Sequence, residues 1–489
     1  MKRIFLFCFV LILGISASAN NIQVTNISYN SGAGTVTFDI SWENSWRVST
    51  IPNNWDAAWV FIKRRNCADQ FWKQQYISST GHVAASPLQV RTVPDSVGVF
   101  IQRSANGSGN ISATTITLKL GVVPVPVIEW DFKVFAVEMT YVPQGAFYLG
   151  SAGSNFYEFR EGGSGIPGNP YLVTSENAIT FANTTGNLWD AGTSTSNFAP
   201  TGNSVQANFP KGFRAFYAMK YEVTQGQYTD FLNSLPQDMA QGRQQLAAGS
   251  FRNNCTGAWP NYTCSTPNRA MSYLGWADLC GYLDWSGLAP MSEMEFEKLC
   301  RGVSVPIANE YAWGTNTATR AFTLTNDGTS QEEVTDIIGV GTGILNCNGN
   351  SGAPAGPFRV GYAAKNATSR TEAGAGYYGN MELSGNVFEF CTSIYGNATS
   401  TFKWDAHGDG NLAIGTGNSN VTGWFNQTID VDGALGSAAA IKGGGWPNRV
   451  GIANGEDQSL RVSDRLYSGN VYGGAASSYG GRGVRRLFN

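Results

Sequence analysis

The segment TVTFDISW at residues 35–42 alternates strictly between apolar and polar side chains. This period places one face of a β-strand against a core and the other toward solvent. The segments at 58–63, 97–103 and 115–120 carry a similar signal, and turn sequences such as NSGAG and NGSGN separate the strands. Several short strands at this spacing predict a small all-β sandwich over residues 20–130.

The composition of the whole chain limits its function as well as its fold. Of the 489 residues, 59 are glycine and only 14% are charged, against about a quarter in an ordinary soluble domain. This is typical of a loop-rich, largely β or irregular protein. The net charge of −3 and the lack of a long basic run give no indication of nucleic-acid binding. The only two histidines, His82 and His407, exclude mechanisms that need several imidazoles.

The first 19 residues have the pattern of a secretory signal peptide. Two basic residues precede an apolar run from Ile4 to Ile15, and Ala17-Ser18-Ala19 supplies a small-residue cleavage sequence. The alternative, a membrane anchor, needs a longer apolar run, and no later segment meets that requirement. We therefore expect a protein that is not membrane-spanning and that is secreted, periplasmic or at the cell surface.

The cysteines suit an oxidising compartment. Cys255 and Cys264 enclose the short loop CTGAWPNYTC, which predicts a local disulfide. Cys280 and Cys300 fall on apolar helical faces, and we expect two packed thiols there rather than a second disulfide. For Cys391, burial or pairing is favoured over a role as a lone nucleophile.

A second unit follows the sandwich. The proline-containing segment 121–132 predicts an extended linker, and the unit begins near Val137. Residues 151–205 are polar and rich in Gly, Asn and Thr, which predicts a long surface insertion. Capping-box sequences predict helices that begin at Thr224 and Ser292, and residues 271–287 have the spacing of a further helix.

Eight segments of this unit resemble the formylglycine-generating enzyme, or sulfatase-modifying factor, family, in the family's order. They are EMTYVPQGAFYLGS, YAMKYEVTQGQYTDFLN, PNRAMSYLGWADLCGYLDW, APMSEMEFEKLCRG, YAWG, SGNVFEF, KGGGW and RGVRR. The resemblance covers residues 137–489. It implies an α+β domain with an irregular, C-type-lectin-like fold, which is preceded here by the small all-β sandwich.

The resemblance also implies an oxidase that converts a sulfatase cysteine to formylglycine, with copper held by two cysteines shortly after an Arg-Gly-Gly-Ser-Trp motif. Soft thiolates select Cu(I). Here the motif reads KGGGW at 442–446, and no cysteine occurs from 392 to 489. We therefore expect no copper and no such oxidase activity. A second branch of the family binds iron through three histidines, which this chain cannot supply, so we expect no iron.

Family members bind structural calcium, and SGNVFEF at 384–390 matches one of those loops. The resemblance implies oxygen ligands from the side chains of Asn386 and Glu389 and from backbone carbonyls, including that of Val387. A salt bridge of Glu389 without metal is the alternative. Asn346 and Asn348 match part of a second family calcium loop, although the aspartate expected downstream is absent.

The tail at 447–481 is rich in Asn, Ser, Tyr and Gly, which adaptable binding surfaces use. In the family this surface receives the peptide substrate. We expect a binding surface that includes Trp446, Asn448, Arg461, Asp464 and Arg465. The sequence thus predicts a secreted scaffold without oxidase activity that binds a peptide, a glycan or a partner protein. An enzyme of altered chemistry at the same cleft, or a structural component of a cell-surface or secretion assembly, are the alternatives.

Overall fold

The computed structural model describes residues 21–66, 71–122, 130–190, 192, 198–246, 249–336, 339, 341–349, 354–364, 367–425, 427–428, 439–450, 457–469 and 474–487. Strands hold 33% of the chain and helices 11%, which agrees with the mixed composition predicted from the sequence. The predicted signal peptide and Cys67 lie outside the described residues. Within them, no helix combines the length and the apolar character needed to cross a membrane.

Most strands are short. In chain order the strands of the first half are β1 (Gln23–Asn30), β2 (Thr35–Arg47), β3 (Asp56–Asn66), β4 (Lys73–Gln75), β5 (Val83–Ala84), β6 (Leu88–Thr92), β7 (Gly98–Arg103), β8 (Gly107–Lys119), β9 (Trp130–Val142), β10 (Phe147–Leu149), β11 (Phe159–Glu161), β12 (Tyr171–Val173), β13 (Ile179–Thr180), β14 (Leu188–Asp190), β15 (Ser204–Val205) and β16 (Phe216–Met219). Those that follow are β17 (Cys255–Thr256), β18 (Thr263–Cys264), β19 (Ala289–Pro290), β20 (Ala318–Arg320), β21 (Leu324–Thr325), β22 (Glu333–Val334), β23 (Gly343–Leu345), β24 (Phe388–Thr392), β25 (Ala439–Lys442), β26 (Tyr479–Gly480) and β27 (Gly483–Arg486).

The helices lie in the second unit: α1 (Gln225–Leu232), α2 (Gln237–Arg243), α3 (Trp276–Trp285), α4 (Glu293–Arg301) and α5 (Ala398–Thr401). Single 3-10 turns occupy Thr201–Asn203, Ser250–Arg252 and Gln458–Leu460. Both predicted capping boxes are confirmed. The hydroxyl of Thr224 accepts from the backbone N–H of Gln227, and that of Ser292 accepts from Glu295. These bonds satisfy donors that a helix start otherwise leaves unpaired.

The N-terminal strands form two packed sheets. One has the order β1-β2-β8-β5, and the other has the order β19-β27-β16-β9-β3-β7-β6, with β4 on β3. The predicted alternation of β2 is confirmed, since Val36, Phe38 and Ile40 are fully buried between the sheets. They pack with Val60 and Ile62 of β3 in one apolar cluster.

Strand β3 is buried on both faces. Its even-numbered residues Val60 and Ile62 face the small sheet, whereas Trp59 and Phe61 belong to the core of the second unit. Phe61 meets the ring of Trp285 edge-on, with ring centroids 5.0 Å apart. Burial on both faces explains why this strand reads as a continuous apolar run.

Strand β9 joins the two units. It pairs with β3 along eleven residues, from Asp56↔Thr140 to Asn66↔Trp130, and its last four residues pair with β16 on its other side. Strand β16 in turn pairs with β27. The predicted division between residues 130 and 137 therefore falls within a single strand, and one sheet runs from the sandwich into the second unit.

Part of the segment 151–205 is buried rather than exposed. Strands β11 and β14 pair with each other, and Phe159, Leu188 and Asp190 have no exposed surface. A carboxylate oxygen of Asp190 lies 3.4 Å from a guanidinium nitrogen of Arg465. The polar composition of this segment suggested a surface insertion. The burial of Asp190 was not foreseen, because its partner Arg465 lies 275 residues away in the sequence.

Candidate functional site

The family-like motifs meet at a three-stranded sheet of order β25-β24-β26. Strand β24 carries the end of SGNVFEF, β25 leads into KGGGW, and β26 precedes the terminal arginines. Glu389 of β24 lies opposite Lys442 on one side and Gly480 on the other. Strand pairing thus brings together three segments that are distant in sequence.

Glu389 is paired with an arginine. Its two carboxylate oxygens accept from Nε and Nη2 of Arg482, at 2.6 Å each. The same guanidinium donates to the backbone carbonyls of Met219, Lys220 and Met381. Burial raises the pKa of Glu389, and the charge of Arg482 opposes that shift. The salt bridge that the sequence left open for Glu389 is present.

Asn386 is committed to protein partners. Its side-chain amide donates to Glu222 at 2.5 Å, and its oxygen accepts from the backbone N–H of Phe358 at 2.8 Å and from Asn346 at 3.2 Å. The backbone N–H of Val387 donates to the other oxygen of Glu222 at 3.1 Å. The loop is therefore held by a buried glutamate that the sequence analysis did not identify.

Three buried carboxylates surround Arg482. They belong to Glu222, Glu382 and Glu389, and none is more than 4% exposed. Burial raises the pKa of Glu382 to about 7, and burial together with the other two carboxylates raises the pKa of Glu222 well above its usual range. The charge of Arg482 opposes these shifts, and for Glu382 the charge of Arg359 does so as well.

The predicted calcium ligands do not fit a calcium site in this arrangement. Calcium takes about six to eight oxygen ligands, but the carboxylate of Glu389 and the amide oxygen of Asn386 already accept protein hydrogen bonds. Asn346 and Asn348 donate to the carbonyls of Gly356 and Ala321. The side-chain oxygen of Asn348 is buried and has no partner among the described residues. In the described part of the chain, no group of three or more His, Cys, Asp or Glu is arranged to hold a metal ion. Calcium at these residues stays a prediction.

The predicted binding surface is corrected by the structure. Trp446 and Arg465 have no exposed surface, and Asp464 and Asn448 are 5% and 8% exposed. Only Arg461 reaches the surface in part, where it pairs with Asp457. These side chains therefore do not form an open face.

Internal contacts explain why these side chains are buried. The guanidinium of Arg465 makes two bonds to Glu293, at 2.8 and 3.1 Å, and stacks 3.9 Å from the ring centroid of Phe159. The indole N–H of Trp446 donates to the carbonyl of Ser477 at 3.0 Å. The arginines that the sequence suggested as ligand contacts instead stabilise the fold.

The cysteines behave as predicted where the structure describes them. Cys255 and Cys264 form the disulfide, and Cys280, Cys300, Cys347 and Cys391 are buried thiols. Burial raises the pKa of Cys347 to about 12 and raises the pKa of Cys300 and Cys391 as well. A reactive or metal-binding cysteine needs a lowered pKa, so these thiols have the character of core residues.

A cavity that the sequence analysis missed lies where the sandwich meets the second unit. Its volume is about 400 Å³, and its lining includes Trp46, Lys220, Arg370, Tyr377 and Tyr378. These residues come from three separate stretches of the chain, and only that of Lys220 belongs to one of the family-like segments. The adjacent tyrosines at 377 and 378 were the one local signal that could have drawn attention to it.

Comparison with known families agrees with this arrangement of motifs. A family described as the sulfatase-modifying factor enzyme 1-like domain matches residues 133–486. No curated protein matches the chain. Because the match begins within β9, covers well over half of the chain and ends with β27, the protein belongs to the sulfatase-modifying factor family.

Proposed function

We propose that this protein is a binding member of the sulfatase-modifying factor family without the family's cysteine-oxidising activity. The observation that carries the proposal is the state of its thiols. No cysteine follows Cys391 in the sequence, and the thiols of Cys280, Cys300, Cys347 and Cys391 are buried in the core.

The chemistry of copper supports the proposal. A Cu(I) site that oxidises a thiol needs soft sulfur ligands, and thiolates form readily only where the pKa is low. The Gly-rich turn at 443–445 is followed by Trp446, Pro447 and Asn448, none of which carries sulfur. Cys391 lies on β24 opposite Ala440 of β25, and burial raises the pKa of its thiol. Neither a sulfur pair nor an activated thiol is therefore offered at the position where the family chemistry would occur.

The ligand class remains that of a peptide, a glycan or a partner protein, and the protein acts as a scaffold for it. The finer assignment to a C-type-lectin-like fold is part of this proposal, and the irregular, strand-rich chain path supports it. The proposed location is outside the cytoplasm, in the periplasm, at the cell surface or in the medium. The disulfide between Cys255 and Cys264 supports this location, because such bonds persist in oxidising compartments.

An oxidation assay tests the proposal. The purified protein is incubated with Cu(I), a reductant, oxygen and a sulfatase-derived peptide that contains cysteine, and mass spectrometry measures conversion of the cysteine to the aldehyde. We expect no conversion above the copper-only background, while an active member of the family assayed in parallel converts the peptide. Conversion by this protein that disappears in a Cys391→Ala variant would overturn the proposal and favour an enzyme of altered chemistry.

A further inference from the structure

The cavity between the sandwich and the family domain has the make-up of a ligand site. Its volume of about 400 Å³ lies within the usual range for small-molecule pockets, roughly 300–1,000 Å³. Aromatic rings form much of its wall, namely Trp46, Tyr221, Tyr377 and Tyr378. Pockets of this kind are usually apolar, with a few polar groups that orient the ligand.

Contacts across the interface fix the walls of the cavity. The side-chain amide of Asn54 donates to the carbonyl of Tyr378 at 3.0 Å. Gly379 has a positive φ of 87°, and a Cβ built on it would lie 3.1 Å from the ring of Trp46. The loop after Tyr378 thus follows the tryptophan ring closely, and the cavity is a preformed feature of the joint between the two units.

The two cations of the cavity differ in their partners. Lys220 is neutralised, since its amine lies 3.0 Å from a carboxylate oxygen of Glu138. Arg370 is half-buried and makes no ion pair with any described residue. Its Nε donates to the carbonyl of Ala375 at 3.3 Å, and its guanidinium lies 5.3 Å from the ring centroid of Tyr377. The negative charge of Glu310 acts on Arg370 only from a distance. Unlike Lys220, Arg370 therefore has no directly paired carboxylate among the described residues, and it lies beside an aromatic ring.

Tyr378 lines the cavity, but its hydroxyl oxygen has almost no surface open to it. The hydroxyl of Tyr378 is buried and has no hydrogen-bond partner among the described residues. A guanidinium presents a planar fork of donors that matches a carboxylate, which makes Arg370 the anchor of choice for an anion.

We propose that this cavity binds a ring-shaped ligand that carries one carboxylate. Arg370 receives the carboxylate, and the rings of Trp46 and Tyr377 flank the ring of the ligand. The same chemistry occurs in an acidic sugar of the uronate type and in an aromatic carboxylic acid. This inference rests on the proposed binding function and adds the site and the ligand class to it.

Paired probes test the ligand class by titration calorimetry on the full protein. Glucuronate is compared with glucose, and phenylacetate with benzyl alcohol, so that each pair differs mainly in the carboxylate. We expect one carboxylate of the two to bind about tenfold or more tightly than its neutral counterpart. Binding of glucuronate would assign a sugar ligand, and binding of phenylacetate an aromatic acid. Equal binding of charged and neutral probes, or no binding of any probe, would overturn the proposal.

Substitutions of lining residues test whether the probes bind in the cavity. Arg370→Gln should weaken carboxylate binding about tenfold or more. Arg370→Lys keeps the positive charge and should lose less of this affinity, and Trp46→Ala should weaken binding through the lost contact with the ring of the ligand. Arg65→Gln, which alters an exposed arginine, is the matched control and should bind as the unaltered protein does. Unchanged carboxylate affinity in Arg370→Gln, with the fold verified by its melting temperature, would refute the site.

The two proposals fail separately. If no carboxylate binds but the protein also does not oxidise cysteine peptides, only the cavity assignment is lost. If the protein oxidises the peptide, the proposed function is lost whatever the cavity binds.

Discussion

The sandwich and the family domain share one sheet, yet their cores differ in chemistry. Between the two sheets of the sandwich the core is apolar, built from residues such as Phe38, Val60 and Ile116. In the family domain, arginines are buried among carboxylates; Arg482 pairs with Glu389, and similar buried pairs are Arg465 with Glu293, Arg486 with Glu295 and Arg301 with Glu297.

This difference follows from the amount of regular structure. In the sandwich, strand pairing satisfies the backbone groups, so the side chains are left to pack. In a loop-rich domain many carbonyls lack a strand or helix partner and still need donors when they are buried. Arginine offers five donors, and Arg482 uses its own on three carbonyls as well as on Glu389. Buried arginines thus donate the hydrogen bonds that these carbonyls would otherwise accept within a strand or a helix.

The largest expected effect comes from removing such an arginine. Arg482→Met leaves Glu389 buried without its partner, which should lower the free energy of unfolding by about 3–5 kcal/mol, measured by urea denaturation. Arg65→Met is the control, because the pair of Arg65 with Asp131 is exposed and should be worth less than about 1 kcal/mol. A similar small loss in both variants would remove the distinction between the two cores.

A smaller effect is expected where the two units share their sheet. In Gly98→Ala the new methyl group would lie 2.5 Å from the ring of Trp59 and 2.7 Å from the carbonyl of Val60. We expect a loss of about 1–3 kcal/mol from overpacking, detected as a lower melting temperature. Gly242→Ala is the control, since its methyl group would meet nothing within 4 Å and alanine favours a helix. Equal melting temperatures for the two variants would contradict tight packing at the shared sheet.

Lys63 is a buried cation whose described hydrogen bonds go to neutral groups, unlike those of the buried arginines in the family domain. Lys63 of β3 donates to Gln74 at 2.9 Å and to the carbonyls of Trp285 and Gly410 at 2.6 Å each. Burial lowers its pKa from 10.5 to about 7, and the charges of Asp284 and Asp409 oppose this.

Between about pH 7 and pH 10 the unfolded chain therefore holds a proton on Lys63 that the folded protein has released. The free energy of unfolding should rise with pH over this window, relative to a Lys63→Met variant, by at most about 1.4 kcal/mol per pH unit. Urea denaturation of both proteins at about pH 7, 8 and 9 measures the change. Lys403→Met, at an exposed position, controls for net charge. A constant difference between the unaltered protein and Lys63→Met would contradict the prediction.

The smallest expected effect is that of a chelator. If the loop at 384–390 is held by Arg482 and Glu222, EDTA should leave the melting temperature unchanged, because their hydrogen bonds do not depend on a metal. A clear fall in the melting temperature that calcium restores and magnesium does not would instead support the calcium site predicted from the sequence. It would also mean that the family domain is stabilised by an ion in addition to its arginines.

Local patterns in the sequence predicted the elements that depend on neighbouring residues. The alternation in β2 and the capping boxes at Thr224 and Ser292 are signals of this kind. The partners in the buried pairs were beyond reach: a salt bridge of Glu389 was an open alternative, but its partner Arg482 lies 93 residues away in the sequence. The same limit explains why Arg465 was taken for a ligand contact.

The course of β9 and the cavity were missed for a related reason. Prolines before Trp130 indicated a linker, whereas the partner that makes residues 130–142 a strand lies at 56–66. The cavity is lined from both sides of that joint, at Trp46 and near Arg370, and no single segment carries its signature. Both features are properties of how the two units meet.

The shared sheet has a consequence for any attempt to study the family domain alone. A chain cut to begin at residue 133 would retain most of β9 but lose β3, which covers one side of it. Strand β9 would become a long edge strand with a row of unpaired backbone groups, and Val134, which packs in the apolar core of the sandwich, would be open to water. Such edges recruit strands from other molecules. We therefore expect the N-terminal strands to limit self-association, so that the truncated chain aggregates more readily than the full chain when the two are expressed in parallel.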